Sequence, residues 1–349
     1  MAGAMLLLVS VILTITSCGD GDGADIEPSI ASSTPNGGPP EPFVATYFYY
    51  WYDLPDGPHS TELTDRPAEQ SASYESIDWF KKQLTDMSSA GIDVALAVYW
   101  GEAEPSSDTG LANMAEAYDQ LQAEGQPTPS IAMFLDTGVI GQWPPADRDL
   151  TRPEQQERVY SMIRTFYEIL PEHQWMIVDG RPLVWLWAAF FDIKFDRSFF
   201  DYVISNFEHD FGVRPYLVGE EIWRLARTDS GVDSSEEMPL DDFYIWGAAL
   251  DGFRFPPGGI AEIGPGYDER ELRGPGRSGR HRDRDDANFY KASFQQAIES
   301  GASVIAIETW NEFHEASDIA DSVEFGRKYI DLTRQYVELF KSSQANAAP

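Results

Sequence analysis

Three features of the sequence predict an α/β protein built as a single (β/α)8 barrel behind an N-terminal leader. Eight short apolar runs rich in β-branched and aromatic residues recur along the chain. Segments with one apolar helical face lie between them. Nearly every run ends in a carboxylate, an aromatic ring or both, which is where a barrel of this class carries its site.

The leader begins "MAGAMLLLVSVILTITSCGDGDG". Its apolar core, Met5 to Ile15, is too short to span a bilayer and has the length of an export signal's core. It ends in Ile15-Thr-Ser-Cys18, the only cysteine of the chain, and in this resembles a bacterial lipoprotein signal, although the usual basic start is missing. The resemblance implies a signal over residues 1–18 that is cut before Cys18, with acylation of the Cys18 thiol, and so an exported protein that is lipid-anchored to the cell membrane or outer membrane, or extracellular. A plain secretory signal or an uncleaved anchor is the alternative. A lone cysteine excludes an intramolecular disulfide and any thiolate-built metal site. Residues 19–42 are Gly, Asp, Ser, Pro and Asn with few apolar side chains, which is a flexible tether.

The folded domain is expected over residues 43–341, with 342–349 as a disordered tail. Its predicted strands are Phe43–Trp51, Ile92–Trp100, Ser130–Leu135, Leu183–Ala188, Pro215–Val218, Phe243–Ala249, a weak run at Gly259–Ile263, and Ser303–Thr309. Helical spacing links Ile77, Phe80, Leu84 and Met87, then Leu111, Met114, Tyr118 and Leu121, then Val159, Met162, Phe166 and Ile169. Tyr202, Val203 and Phe207 follow the same rule, as do Tyr290, Phe294, Ala297 and Ile298. The last helix carries Phe325, Tyr329, Leu332, Tyr336 and Leu339 and is expected to start at the N-cap residues Ser317-Asp318. Strands apolar on both faces and alternating with helices require a parallel sheet. An open doubly wound sheet is the alternative, and no glycine-rich phosphate loop follows the first strand to favour it.

Charge narrows the partners. The 349 residues carry 58 acidic and 25 basic side chains, a formal charge of −33, which repels nucleic-acid phosphate and anionic lipid headgroups. No nucleic-acid partner is expected, and nothing in the sequence points to a protein partner.

At the strand ends lie Tyr50, Trp51, Tyr52 and Asp53, then Trp100, Asp136, Trp187, Glu220, Trp246, Tyr267 and the run Trp310 to Glu315. Aromatic faces stack on the apolar faces of sugar rings, and carboxylates and amides bind hydroxyls, so this mixture predicts a carbohydrate substrate. Candidate binding residues are therefore Tyr50, Tyr52, Asp53, Trp100, Asp136, Trp187, Glu220, Trp246, Tyr267, Trp310, Asn311 and His314. No cofactor or metal is expected: the five histidines include no pair at ligand spacing, and there is no EF-hand loop or Gly-x-Ser-x-Gly elbow. Six arginines between Gly266 and Tyr290 alternate with acidic residues, which predicts local ion pairs at the rim.

Glu312 and Glu315, three apart after the last strand, would diverge on a strand and converge on a tight turn. Converging carboxylates supply the acid and base of glycoside hydrolysis, because like charges close together raise one pKa. Glu308 reads as a supporting carboxylate and Asp318 as helix-start chemistry.

"TWNEFHEASDI", with "GPGYDERELRG" and "YFYYWYD" upstream, is similar to the glycoside hydrolase family 99-like group, which includes endo-α-mannosidases. The family's Asn-Glu-Trp-His-Glu run matches Asn311-Glu312-Phe313-His314-Glu315, with Phe313 in place of Trp. Where such enzymes often continue Gly-Thr-x-Ile-Glu, this chain has Ala316-Ser317-Asp318-Ile319-Ala320. The resemblance implies a metal-independent retaining hydrolase in which Glu312 deprotonates a sugar 2-hydroxyl and Glu315 protonates the leaving oxygen. The competing reading is a surface lipoprotein that binds glycan on the same barrel without cleaving it.

Overall fold

The computed structural model describes residues 42–347, apart from 102–103, 105, 188–191 and 274–277. The expected signal, Cys18 and nearly all of the tether lie outside the described residues.

Eight parallel strands form the barrel: β1 (Phe43–Phe48), β2 (Val94–Tyr99), β3 (Ser130–Leu135), β4 (Arg181–Leu186), β5 (Tyr216–Glu220), β6 (Asp242–Tyr244), β7 (Ala261–Ile263) and β8 (Val304–Ile307). They hydrogen-bond in the order β7-β8-β1-β2-β3-β4-β5-β6. Pairing of Thr46 with Ile307 and of Ala45 with Val94 sets β1 between β8 and β2. Only β6 and β7 lack a ladder, and the Ile260 N–H donates across that seam to the Phe243 carbonyl at 2.9 Å. Gly259 allows the approach, since a Cβ there would sit 2.4 Å from the same carbonyl oxygen.

Long helices α1 (Ile77–Ala90), α2 (Ser106–Ala123), α3 (Pro153–Ile169), α4 (Arg197–Phe211), α5 (Asn288–Ser300) and α6 (Lys328–Ala347) surround the barrel. Local chemistry sets their ends. The Ser76 side chain accepts the Trp79 N–H to start α1, and Gly91 ends it at φ 82°, a conformation that penalises a Cβ. Asp196 and Gly212 perform the same two roles for α4.

Three expectations need correction. The β1 and β2 runs leave the ladder before Trp51 and Trp100; at β1 the Asn311 side chain takes over, bonding both the Tyr49 N–H (2.8 Å) and the Tyr49 carbonyl (2.7 Å). No long helix follows β5 or β6. A short 3-10 turn and the hairpin Leu225–Thr228/Gly231–Glu237 follow the first, and the four-residue helix Ala248–Asp251 the second. The last helix starts at Lys328 rather than near Ser317, and it continues to Ala347 through the expected tail, held by Gln344 Nε2 donating to the Ala302 carbonyl at 2.8 Å.

Aromatic rings fill the barrel interior. Tyr47 packs on Phe134 at 4.6 Å between ring centres and on Trp246 at 4.9 Å, and Trp185 packs on Tyr244 at 5.2 Å. The Tyr47 hydroxyl donates to Glu262 at 2.5 Å. Burial, then the nearby Glu308 charge, push the Glu262 carboxyl well above its usual range. That direction favours the neutral carboxyl, the form an apolar plug tolerates.

Candidate active site

The site is built on the segment after β8. This chain does not continue into a helix but folds back on itself. The Thr309 N–H donates to the Ser317 carbonyl at 2.8 Å, and the Ile319 and Ala320 N–H groups donate to the Trp310 carbonyl at 2.9 and 2.8 Å. Thr309 Oγ1 accepts the Glu312 N–H at 2.8 Å, and Ala316 takes a positive φ of 44° to complete the turn. The β1–α1 loop clamps it from outside: Thr64 and Asp65 N–H groups donate to the Phe313 carbonyl, each at 3.1 Å, and Thr64 Oγ1 donates to the His314 carbonyl at 2.8 Å.

Held this way, Glu312 and Glu315 line one cavity of about 360 Å³, together with Trp51, His59, Thr61, Glu62, Leu272 and His314. Glu312 Oε1 accepts the His314 backbone N–H at 3.0 Å and lies 2.8 Å from His314 Nδ1. Burial disfavours a charged His314, yet the hydrogen bond and charge of Glu312 outweigh it and raise the imidazole pKa. Burial is also the main cause that pushes Glu315 up to about 7, with the Glu312 charge adding to it. Its Oε1 accepts from the Tyr267 hydroxyl at 2.7 Å. The two carboxylates thus have unequal surroundings, His314 on Glu312 and Tyr267 on Glu315, and Glu315 is about half protonated near neutral pH.

The other expected site residues separate into three groups. Tyr50 and Trp310 are core residues: Tyr50 packs against Phe48 and Phe80 with its hydroxyl on the Ser107 carbonyl, and the Trp310 indole N–H donates to Gln83 of α1 at 2.8 Å. Their side chains alternate to the helix-facing side of the strand, which is why they miss the cleft. Asp53 also lies apart, accepting from Ser73 Oγ at 2.7 Å. Asn311 and Tyr52 shape the loop, the Tyr52 hydroxyl donating to the Asn311 carbonyl (2.9 Å) and accepting the Phe313 N–H (3.1 Å).

Trp100, Trp187, Trp246, Asp136 and Glu220 stand at the carboxyl ends of β2 to β6 but do not line this cavity. Trp100 meets Trp51 edge-on at 5.7 Å, and Trp246 meets Trp187 edge-on at 6.0 Å. Asp136 accepts the Gly138 N–H at 2.8 Å and Glu220 accepts the Ile222 N–H at 2.9 Å, so both cap turns. Glu308 caps the helix Ala248–Asp251 by accepting the N–H groups of Gly247, Ala248 and Ala249 at 2.8–3.1 Å. Asp318 is no helix cap: it is buried against Arg284.

Missing from the expected binding set are Trp51, His59 and Glu62. His59 stacks on Trp51 at 4.4 Å and 11° and pairs with Glu104 at 3.2 Å. The available signal was parity, since Trp51 lies two and four residues beyond Tyr49 and the inward Tyr47. His59 and Glu62 both have positive φ, 54° and 60°, a conformation that no sequence pattern around them announces.

Buried acids make stability depend on pH. Burial raises Glu308 to about 7, Asp136 to about 6 and Asp242 to about 6. Between pH 5 and 8 the unfolded chain has already lost protons that the native state retains, so stability falls as pH rises. Glu308 alone contributes about 3 kcal/mol of that fall. Urea unfolding at pH 5 and pH 8 is expected to show the lower midpoint at pH 8; equal midpoints would contradict these assignments.

The barrel and its acidic cleft define a class, the (β/α)8 proteins with a carboxylate pair after the last strand. The chain belongs to the family described as a domain of unknown function, DUF5010, whose model matches residues 50–348. Among curated proteins none matches the sequence. Among solved structures, the fold is similar to that of the GH99 endo-α-mannosidase from Bacteroides thetaiotaomicron in complex with bis-tris propane, at TM-score 0.65 and 18% identity, covering 87% of this chain and 99% of that one. A structure described as a glycoside hydrolase-like protein matches at TM-score 0.57 and 13% identity, covering 88% and 97%. Among the described residues no cluster of His, Cys, Asp and Glu could hold a metal ion, and no helix is long and apolar enough to cross a membrane.

Proposed function

We propose that the protein is a retaining glycoside hydrolase acting on a neutral, α-linked and mannose-like glycan. The observation that carries this reading is the unequal carboxylate pair in one cavity, Glu312 beside His314 and Glu315 raised to about 7. In the first half-reaction Glu312 takes the proton of the sugar 2-hydroxyl, O2 attacks the anomeric carbon, and Glu315 protonates the departing glycosidic oxygen. In the second, Glu315 takes a proton from water, the water oxygen attacks the anomeric carbon, and O2 leaves it while regaining the proton from Glu312. Two inversions give net retention. Trp51 with its stacked His59 offers an aromatic wall for the sugar ring, while Glu62, Glu312 and Glu315 disfavour anionic sugars.

The test is incubation with α-mannans and other α-glycans, the anomer first released being read by NMR. Retention supports the mechanism, and inversion overturns it. Calorimetric binding without product from any glycan would instead support a glycan-binding lipoprotein.

Export and lipid anchoring through Cys18 belong to the same proposal. Cys18→Ala is expected to abolish incorporation of labelled fatty acid and to release the protein from membranes. Unchanged labelling would sink the anchor.

A further inference from the structure

One hydroxyl group stands between two carboxylates next to the cavity. The Tyr267 oxygen lies 2.7 Å from Glu315 Oε1, 2.9 Å from Glu269 Oε2 and 3.1 Å from Arg280 Nη2. Arg280 also donates to Glu269, from Nη2 to Oε2 at 3.0 Å and from Nε and the backbone N–H to Oε1 at 3.2 and 3.1 Å. Glu269 is thus a buried carboxylate with a matched cation, while the Arg280 side chain remains 59% exposed.

A phenol has a single hydrogen and cannot donate to both carboxylates at once. When Glu315 is ionised, the phenol donates to it. When Glu315 carries a proton on Oε1, that proton points at the phenol oxygen, and the phenol hydrogen must turn to Glu269. Tyr267 itself stays a phenol, because burial and the Glu315 charge hold its pKa far above its ordinary value.

We propose that Tyr267, Glu269 and Arg280 form a hydroxyl switch, in which the phenol hydrogen points to Glu315 when its Oε1 is unprotonated and to Glu269 when Oε1 carries the acid's proton. The inference rests on the reading of Glu315 as the acid/base group. An acid/base group must be stabilised in both protonation states during one turnover, and a fixed donor would favour only the ionised one. A rotating hydroxyl serves both with its oxygen in place. Glu269 and Arg280 are positioning residues that act on Glu315 through Tyr267 and with opposite charge. The other groups facing Glu315 are Glu312 and His314 on its own loop, Tyr49 beyond β1, and His59 and Glu62 across the cavity. Asp268, whose N–H donates to the Glu315 carbonyl at 2.7 Å, is itself paired with Arg270.

The test is a carbon-13 NMR titration of the glutamate-labelled protein without substrate, the Glu315 signal being assigned with Glu315→Gln. Glu269→Gln is expected to lower the Glu315 midpoint and Arg280→Gln to raise it, each by about 1 pH unit. Tyr267→Phe is expected to move it by less than either charge variant, because the rotating hydroxyl serves both protonation states, whereas a rise as large as that of Arg280→Gln would mark a fixed donor. Adding Glu269→Gln to Tyr267→Phe is expected to give a smaller fall than Glu269→Gln alone. Shifts of one sign for both charge variants, or no shift, would overturn the proposal, and so would an equal Glu269→Gln shift in both backgrounds. Because Arg280 is largely exposed, its arm and that of Tyr267→Phe decide the matter if Glu269→Gln fails to fold. A midpoint that moves as expected in a protein inert toward every glycan leaves the switch standing and rejects the hydrolase.

Discussion

Glu315→Gln is expected to lower kcat roughly 10²–10⁴-fold on a natural glycan, the contribution typical of a positioned acid or base. The variant should fold, since the amide keeps an acceptor for the Tyr267 hydroxyl and removes a carboxyl that burial resists charging. Activated aryl glycosides distinguish the two carboxylates. Their leaving groups need no proton, so the first half-reaction of Glu315→Gln is expected to approach the wild-type rate, and added azide should accelerate the second. Glu312→Gln lacks the base that makes O2 a nucleophile, and neither aid should restore it. Single-turnover and steady-state rates on both substrates check this, and wild-type turnover by both variants would end the assignment.

The second large effect concerns Arg284, which the alternating charges of its loop place at the rim and the structure places inside. Its Nη2 donates to Asp65, to Asp318 and to the Ala316 carbonyl, each at 3.0 Å, and its Nη1 donates to the Asp318 carbonyl at 2.8 Å. Phe325 and Tyr329, in edge-to-face contact with each other, both lie against the guanidinium, their ring centres 4.4 and 4.5 Å from its carbon. Arg284→Met is expected to destabilise the protein by about 3–5 kcal/mol, because two buried carboxylates and two carbonyls lose their partner. Urea unfolding should show a loss that shrinks as pH falls and Asp65 and Asp318 take up protons. Ala316 immediately follows Glu315, so kcat should fall as well. A loss below about 1 kcal/mol would mean that the cluster is dispensable.

Neighbouring arginines do behave as expected, for Arg270 pairs with Asp268 and Arg280 with Glu269 along the loop. Arg284 differs because its partner Asp65 lies 219 residues away. No local charge pattern encodes such a contact.

The sequence by itself determined the barrel, its strand order along the chain and the segment that carries the carboxylate pair. Those depend on continuous apolar runs and on period-3.6 apolar patterning, which become strands buried on both faces and helices buried on one. It misplaced the last helix because Ser317 and Asp318 are good caps in isolation, whereas the backbone of residues 309–320 satisfies its hydrogen bonds by folding back on itself. Which aromatics face the cleft was likewise decided only in three dimensions. Tyr50 and Tyr52 are chemically as fit for sugar stacking as Trp51, and side-chain alternation beyond β1 turns only Trp51 into the cavity. The inequality of Glu312 and Glu315 is tertiary as well: it requires burial, His314 on one carboxylate and Tyr267 on the other, groups that no spacing of two glutamates can specify.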